Sequence, residues 1–265
     1  MEKIGFIGMG NMGSAIMKGL LSHGSSPEEI LFTDIDGARR EKVEGETGVH
    51  GVATNRECAQ KARYLVLAVK PQYYQAVLEE IRPTVTASQV IISIAPGKTV
   101  AYLKGVLGAD RRIVRAMPNT PALLGEGMTG VCYDPDLFSQ EEKALIHKFF
   151  TSFGRMELVE ERLMDAVVCA SGSSPAYVYM MIEALADGAV KCGLPRDMAY
   201  QMVAQTVLGS AKMVLETGLH PGELKDMVCS PGGTTIAAVG ALEQCGFRNA
   251  LMQATDACFA RCKSI

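Results

Sequence analysis

Two glycine-rich stretches carry residue types able to do chemistry. The first is Ile7-Gly8-Met9-Gly10-Asn11-Met12-Gly13, close to the N-terminus. A short apolar strand running into G-x-G-x-x-G and then into a helix is the arrangement that cradles a dinucleotide pyrophosphate. Gly8 permits the tight turn, Gly10 lets backbone approach phosphate, and Gly13 lets the helix pack closely on the strand. The amide N–H groups at the helix start then face the negative charge. The second stretch is Ser230-Pro231-Gly232-Gly233-Thr234-Thr235, just ahead of an apolar-periodic run over 236–243. Amides at that helix start form an anion site, for which a substrate carboxylate is the natural guest. Thr234 and Thr235 add hydroxyls that donate or accept. Taken without the N-terminal fingerprint, this loop reads as an ordinary helix start.

Further candidates lie where strands are expected to end. Asp34 follows Gly13 by roughly 20 residues, the place of a carboxylate that bonds the adenosine ribose hydroxyls. It would repel a 2′-phosphate and so tilts the cofactor slightly toward NADH over NADPH. Arg39 and Arg40 follow it and could serve a phosphate, although a solvated helix face is the plainer reading. Ala68-Val69-Lys70-Pro71 places a fixed positive charge beyond a strand end, near the pyrophosphate or nicotinamide ribose, with a proline stiffening the turn. Ala95-Pro96-Gly97 and Met117-Pro118-Asn119-Thr120-Pro121 end the next two strands, the prolines holding the Asn119 amide in a rigid loop. Ligands of open parallel sheets bind beyond the carboxyl ends of strands, so these loops read as one rim.

The elements that must position these residues follow from periodicity. Apolar runs at 4–7, 30–33, 64–69, 90–94, 113–117 and 128–133 alternate with amphipathic pieces at 14–21, 37–46, 73–81 and 99–107. That alternation predicts a Rossmann-like, doubly wound α/β domain over 1–160. Ser139-Gln140-Glu141-Glu142 is a capping box opening a helix to about Phe153, which Gly154 closes. Beyond 160 the strand signals stop, and 161–265 reads as an all-α domain. Its segment 197–216 is apolar on more than one face, which requires burial on more than one face. This half is expected to pack on a second copy of itself.

Composition excludes several classes of partner. A net charge of −3 with hydrophobic residues at 48% points away from nucleic acid. No apolar run approaches a membrane span. Met-Glu-Lys leads straight into the first strand, so no signal peptide is expected and the cytoplasm is the expected location. The eight cysteines include no C-x-x-C, and Cys258 and Cys262 have no histidine nearby in sequence, so no metal is expected.

The chain resembles the pyrroline-5-carboxylate reductase family along essentially its whole length. The marks are the N-terminal fingerprint, 68–71, 117–121, Ser171-Gly172-Ser173-Ser174-Pro175-Ala176-Tyr177, Ala184-Leu185-Ala186-Asp187-Gly188, and His220-Pro221-Gly222-Glu223-Leu224-Lys225-Asp226 running on to 230–235. The resemblance implies reduction of 1-pyrroline-5-carboxylate to L-proline by NAD(P)H, the last step of proline biosynthesis. It also implies a helical dimerisation domain, with dimers assembling further. By matching motif, Ser230, Gly233, Thr234 and Thr235 would hold the substrate carboxylate and ring nitrogen. Thr235 is the catalytic candidate, as positioner and proton relay at that nitrogen. Asn55 would contact cofactor, and Glu161 would lie near substrate. The site is expected between the two halves. Ser174, Met227 and Asp34 depart from residues frequent in the family. A β-hydroxyacid dehydrogenase or another imine reductase would share the domain plan, but the dehydrogenases carry a lysine at the start of the second domain and 171–179 has none. A non-enzymatic NAD(P)H-binding regulator would leave 230–235 without a role.

Overall fold

The computed structural model describes residues 3–263. Its strands are β1 (Ile4–Ile7), β2 (Ile30–Thr33), β3 (His50–Gly51), β4 (Tyr64–Leu67), β5 (Val90–Ser93), β6 (Arg112–Met117), β7 (Gly127–Cys132) and β8 (Gly154–Leu158). The first helices are α1 (Asn11–Ser22), α2 (Gly37–Thr47), α3 (Asn55–Lys61), α4 (Tyr74–Ile81), α5 (Val100–Leu107), α6 (Gln140–Thr151) and α7 (Met164–Val167). They are followed by α8 (Ser174–Lys191), α9 (Arg196–Thr217), α10 (Pro221–Val228), α11 (Thr234–Gln244) and α12 (Phe247–Cys262).

All eight strands form one sheet in the order β3-β2-β1-β4-β5-β6-β7-β8. The alternation of side chains along each strand splits the apolar residues between two cores. Phe6, Phe32, Val66, Ile92 and Val114 face α1, α2 and α6, whose Ile16, Val43 and Phe150 complete that layer. Ile7, Leu31, Leu65, Ile91 and Ile113 face α3, α4 and α5, which supply Ala59, Leu78 and Leu103. The doubly wound architecture follows from this two-sided burial.

Four features depart from the sequence reading. The two-residue β3, paired parallel to β2, lies outside the expected strands. β7 runs antiparallel to β6, while β8 pairs parallel to β7. β8 itself was unforeseen, because Gly-Arg-Met-Glu-Leu carries no apolar run and is exposed at Arg155, Glu157 and Leu158. Gly154 does not close α6; it opens β8 at φ +149, where an added Cβ would stand 2.0 Å from the Gly127 carbonyl oxygen. α6 ends instead at Thr151, with the Ser152 hydroxyl donating to the Phe149 carbonyl at 2.7 Å. Its start is the expected capping box, Ser139 and Glu142 satisfying each other's backbone N–H. Arg63 and Arg112 both bond that same Glu142 carboxylate. Burial opposes ionisation of Glu142, but the Arg112 hydrogen bond and the Ser139 N–H outweigh it and hold the carboxyl below its usual range.

Two compact units divide the chain: residues 3–173 with 258–263, and residues 174–257. In the second, α8 and α9 are joined by a tight turn with Gly193 at φ +105. Among its described residues only Ala186 and Ala199 are buried. Met180, Leu208, Leu215, Met227, Val228 and Met252 are all exposed. No helix of the described residues is long and apolar enough to cross a membrane.

Candidate active site

The order β2-β1-β4 places the sheet's switch point between β1 and β4, where the chain leaves in opposite directions and a crevice opens beyond the strand ends. The fingerprint glycines meet the geometric demands there one by one. Gly8 sits at φ +97, and a Cβ on it would press to 3.0 Å from the Ala68 backbone. A Cβ on Gly13 would lie 2.4 Å from the Gly8 carbonyl oxygen, so α1 packs as close to β1 as backbone allows. Around Gly10 an added Cβ meets nothing within 4 Å, which leaves that face open for a ligand. α1 begins at Asn11, earlier than expected, with Gly10 as its N-cap and no side-chain cap bond. Its first amides are therefore available to an anion, whereas α2, α3, α5 and α6 are capped by Asp36, Thr54, Thr99 and Ser139.

Asp34 stands at the end of β2 as expected, but much of its carboxylate is engaged by the protein. One oxygen accepts from the Met9 N–H at 2.7 Å and the other from the Asp36 N–H at 3.0 Å. The Arg39 guanidinium lies 3.6 Å away, and Arg40 donates to the Asp34 carbonyl at 2.5 Å. Asp34 thereby pins the fingerprint loop. A cleft of about 270 Å³ opens beside it, and Arg39 lines it with Met9, Gly10, Asn11, Ser14 and Lys42. Arg39 thus faces the cleft, the alternative to a solvated face, and Lys42, one helical turn along α2, joins it there without any sign in the sequence pattern.

The remaining rim residues divide by exposure. Lys70, Pro96 and Gly97 are exposed beyond β4 and β5, while Ala68, Val69 and Pro71 are half-buried and Ala95 is buried. Tyr74 locks these two strand ends together: its buried hydroxyl donates to the Leu67 carbonyl at 2.7 Å and lies 3.1 Å from the Ser93 hydroxyl. Asn119 is buried, its amide donating to the Ser171 carbonyl at 3.0 Å and accepting from the Met128 N–H at 2.9 Å. The Asn55 amide donates to Glu80 at 2.7 Å. Glu161 accepts from the Val100 N–H at 2.7 Å and from Arg115 at 3.1 Å, closing off the start of α5 and neutralising a buried guanidinium. These polar groups brace the rim through the same atoms that could meet a ligand.

In the helical unit the geometry at 230–235 parallels that at 8–13. α11 starts at Thr234 with Gly233 as N-cap and no side-chain cap bond. Gly232 turns the chain at φ +67, and the Gly233 N–H donates to the Ser230 carbonyl at 3.0 Å. A Cβ on Gly233 would lie 2.4 Å from the Ser230 hydroxyl oxygen. The loop thus presents amides of Thr234 and Thr235, with both hydroxyls beside them, and no acidic residue in the first turn opposes an anion.

Comparison with known proteins identifies the family through full-length relatives. Residues 161–265 match the family described as pyrroline-5-carboxylate reductase dimerisation, and residues 3–97 match the family of NADP oxidoreductases described as coenzyme F420-dependent. A pyrroline-5-carboxylate reductase of Escherichia coli is 47% identical over 265 residues, covering 100% of this chain and 98% of the relative. The solved reductase of Coxiella burnetii superposes with a TM-score of 0.91 at 36% identity, covering 99% of this chain and 98% of its own. The Plasmodium falciparum pyrroline carboxylate reductase, solved with NADP bound, gives 0.89 at 33% identity and covers 99% and 97%. With identity of this order sustained across both units, the chain belongs to the pyrroline-5-carboxylate reductase family.

Proposed function

We infer that this protein is an NAD(P)H-dependent oxidoreductase that reduces 1-pyrroline-5-carboxylate to L-proline, the last step of proline biosynthesis, as a homodimer formed through its helical domain. The observation that carries this reading is the pair of glycine-capped helix starts in a chain similar to such reductases from end to end. The first suits a pyrophosphate, and the second a small carboxylate. A β-hydroxyacid dehydrogenase accounts for the first alone.

The open face at Gly10 and the uncapped amides of α1 fit a dinucleotide. When bound, the cofactor supplies the hydride. Residues 7–13 would hold the pyrophosphate. Lys70 and the loops 68–71 and 95–97, with Asn55 and Asn119 behind them, would frame the nicotinamide end. Ser230, Gly233 and Thr234 would hold the substrate carboxylate, with Glu161 shaping the rim through Arg115. The Thr235 hydroxyl would bond the ring nitrogen. An alcohol is too weak an acid to protonate an imine fully, so its role is to orient the nitrogen and relay a proton as that nitrogen becomes an amine. The hydride acceptor carbon is thereby presented at a fixed angle. Thr235→Ala is expected to lower kcat/KM for the imine by about 10²-fold. An unchanged value in a nicotinamide absorbance assay removes Thr235 from the chemistry.

At the ribose end the Asp34 carboxylate favours NADH, and Arg39 with Lys42 offers a 2′-phosphate its counter-charge. Asp34 is buried and partly neutralised, so the tilt toward NADH is small. Asp34→Ala should shift the NADH-to-NADPH ratio of kcat/KM less than about tenfold, while Arg39→Ala weakens NADPH specifically. Equal losses with both cofactors would show that neither residue reads the ribose.

A further inference from the structure

The fold assembles a thiol cluster whose full extent the spacing of the chain conceals. Cys258 and Cys262 are four residues apart on the last turns of α12, and Cys169, just beyond α7, comes up beneath both. The three sulfurs lie within 4.8 Å of one another. The last stretch of α12, from Cys258 on, belongs to the same compact unit as Cys169. None of the eight cysteines is joined in a disulfide.

A three-sulfur arrangement matches metal ligation better than redox pairing. Residues i and i+4 on a helix lie about 5–6 Å apart at Cβ, whereas a disulfide needs roughly 3.5–4.5 Å. Any bridge from Cys169 to one of the pair leaves the third sulfur without a purpose. The i, i+4 spacing is also one by which two side chains of a helix reach a single ion. With Zn–S bonds of about 2.3 Å, three sulfurs around one ion stand roughly 3.8–4.0 Å apart. The observed cluster needs to contract by less than an ångström or so, within reach of small side-chain rotations.

The surroundings suit a soft cation. Cys169 is buried, and Cys258 and Cys262 are half-buried. The Ser173 hydroxyl lies 3.4 Å from the Cys258 sulfur. Cys262 opens on a cleft that also holds Asp165 and Glu161 together with Arg115, Arg162 and Lys263, so a fourth position has access to solvent.

We propose that Cys169, Cys258 and Cys262 form a three-thiolate site for a thiophilic d¹⁰ cation, Zn²⁺ in the first instance, with its fourth position open to solvent. Three thiolates select this class of ion over hard cations. The bound ion would staple the end of α12 to the segment after α7.

The test uses the full-length protein, reduced, stripped of metal and titrated with Cd²⁺ as a spectroscopic probe. The expected result is a saturable thiolate-to-cadmium charge-transfer band at one ion per chain. It should persist when Cys192, Cys229 and Cys245 are all replaced by serine. Affinity should fall on the order of 10²-fold or more in Cys169→Ser and in Cys262→Ser. Cys262 sits half-buried at a helix end, so its variant is the one expected to keep the fold, checked by circular dichroism. Zn²⁺ should raise the melting temperature of the parent and not of Cys262→Ser. Absence of a saturable band, a band unchanged by Cys262→Ser, or a band lost with the other three cysteines would overturn the site.

Discussion

The sheet unit and the helical unit solve the problem of burial in opposite ways. In the sheet unit every central strand is covered on both faces, and the apolar side chains of α1 to α6 close two separate cores. In the helical unit α8 to α11 leave methionines, leucines and valines in solvent, and only two alanines are buried. The first unit contains the partners of its own apolar residues. The second must find them on another chain, and the homodimer is the thermodynamic consequence. Burying a leucine- or methionine-sized side chain contributes about 1.5–3 kcal/mol, and an α9 apolar on more than one face offers several of them twice over in a symmetric pair.

The sharpest way to break this comparison is a charge on each side of it. Leu208→Glu, in the middle of α9, is expected to abolish the dimer at micromolar concentration and to lower helix content, read by sedimentation and circular dichroism. Leu124→Glu, on a short turn of the sheet unit and more exposed still (86% against 48% for Leu208), should leave both unchanged. If Leu208→Glu remains dimeric and fully folded, the exposed face of α9 is a surface and not an interface.

A smaller effect separates the two glycine-capped helix starts. Added methyl groups on Gly13 and Gly233 both meet an oxygen at 2.4 Å, but at Gly13 it is backbone and at Gly233 it is the mobile Ser230 hydroxyl. Gly13→Ala should therefore cost about 3 kcal/mol or more and lower dinucleotide affinity by at least ~10²-fold. Gly233→Ala should raise KM for the imine about tenfold and leave dinucleotide binding intact. Isothermal titration with cofactor and steady-state kinetics distinguish them, and equal effects on cofactor would contradict the division of labour between units.

The smallest effect concerns pH. Glu142 is held below its usual range between Arg63 and Arg112, so its contribution to stability is present above the unfolded carboxyl value of about 4.3 and disappears as pH falls through the lower folded value. Glu142→Gln should lower the urea midpoint of the sheet unit at pH 7 and have little effect near pH 2–3. The ion pairs of the helical unit, such as Lys225 with Asp226 and Arg248 with Glu243, are exposed, and Glu243→Gln is expected to be neutral at both. A pH-independent loss in Glu142→Gln would mean that its packing matters and its charge does not.

How much was legible follows from which interactions are local. The fingerprint, the capping box at Ser139 and Glu142, and most strands were readable because a turn, a cap or a run of β-branched residues is specified within a few positions. β8 was not, because its residues have no strand pattern of their own and extend only by pairing with β7. The direction of β7 was hidden for the same reason, since a strand's composition says nothing about which way its neighbour runs. Asp34 was located correctly, yet its bonds to Met9 and Arg39, and those of Asn119 to Ser171 and Met128, connect atoms distant in the chain.

What the sequence by itself determined is the chemistry of local backbone: two glycine-capped helix starts able to receive anions, a doubly wound sheet to carry one, and helices too apolar to stand alone. Only the tertiary structure decided that Arg39 and Lys42 share the cleft beside Gly10, that Glu161 is paired with Arg115, and that Cys169 meets Cys258 and Cys262. Short-range sterics and periodicity act within a turn or a strand and leave a written pattern. Contacts between residues scores of positions apart arise from packing, which joins them without requiring any sign in the sequence between.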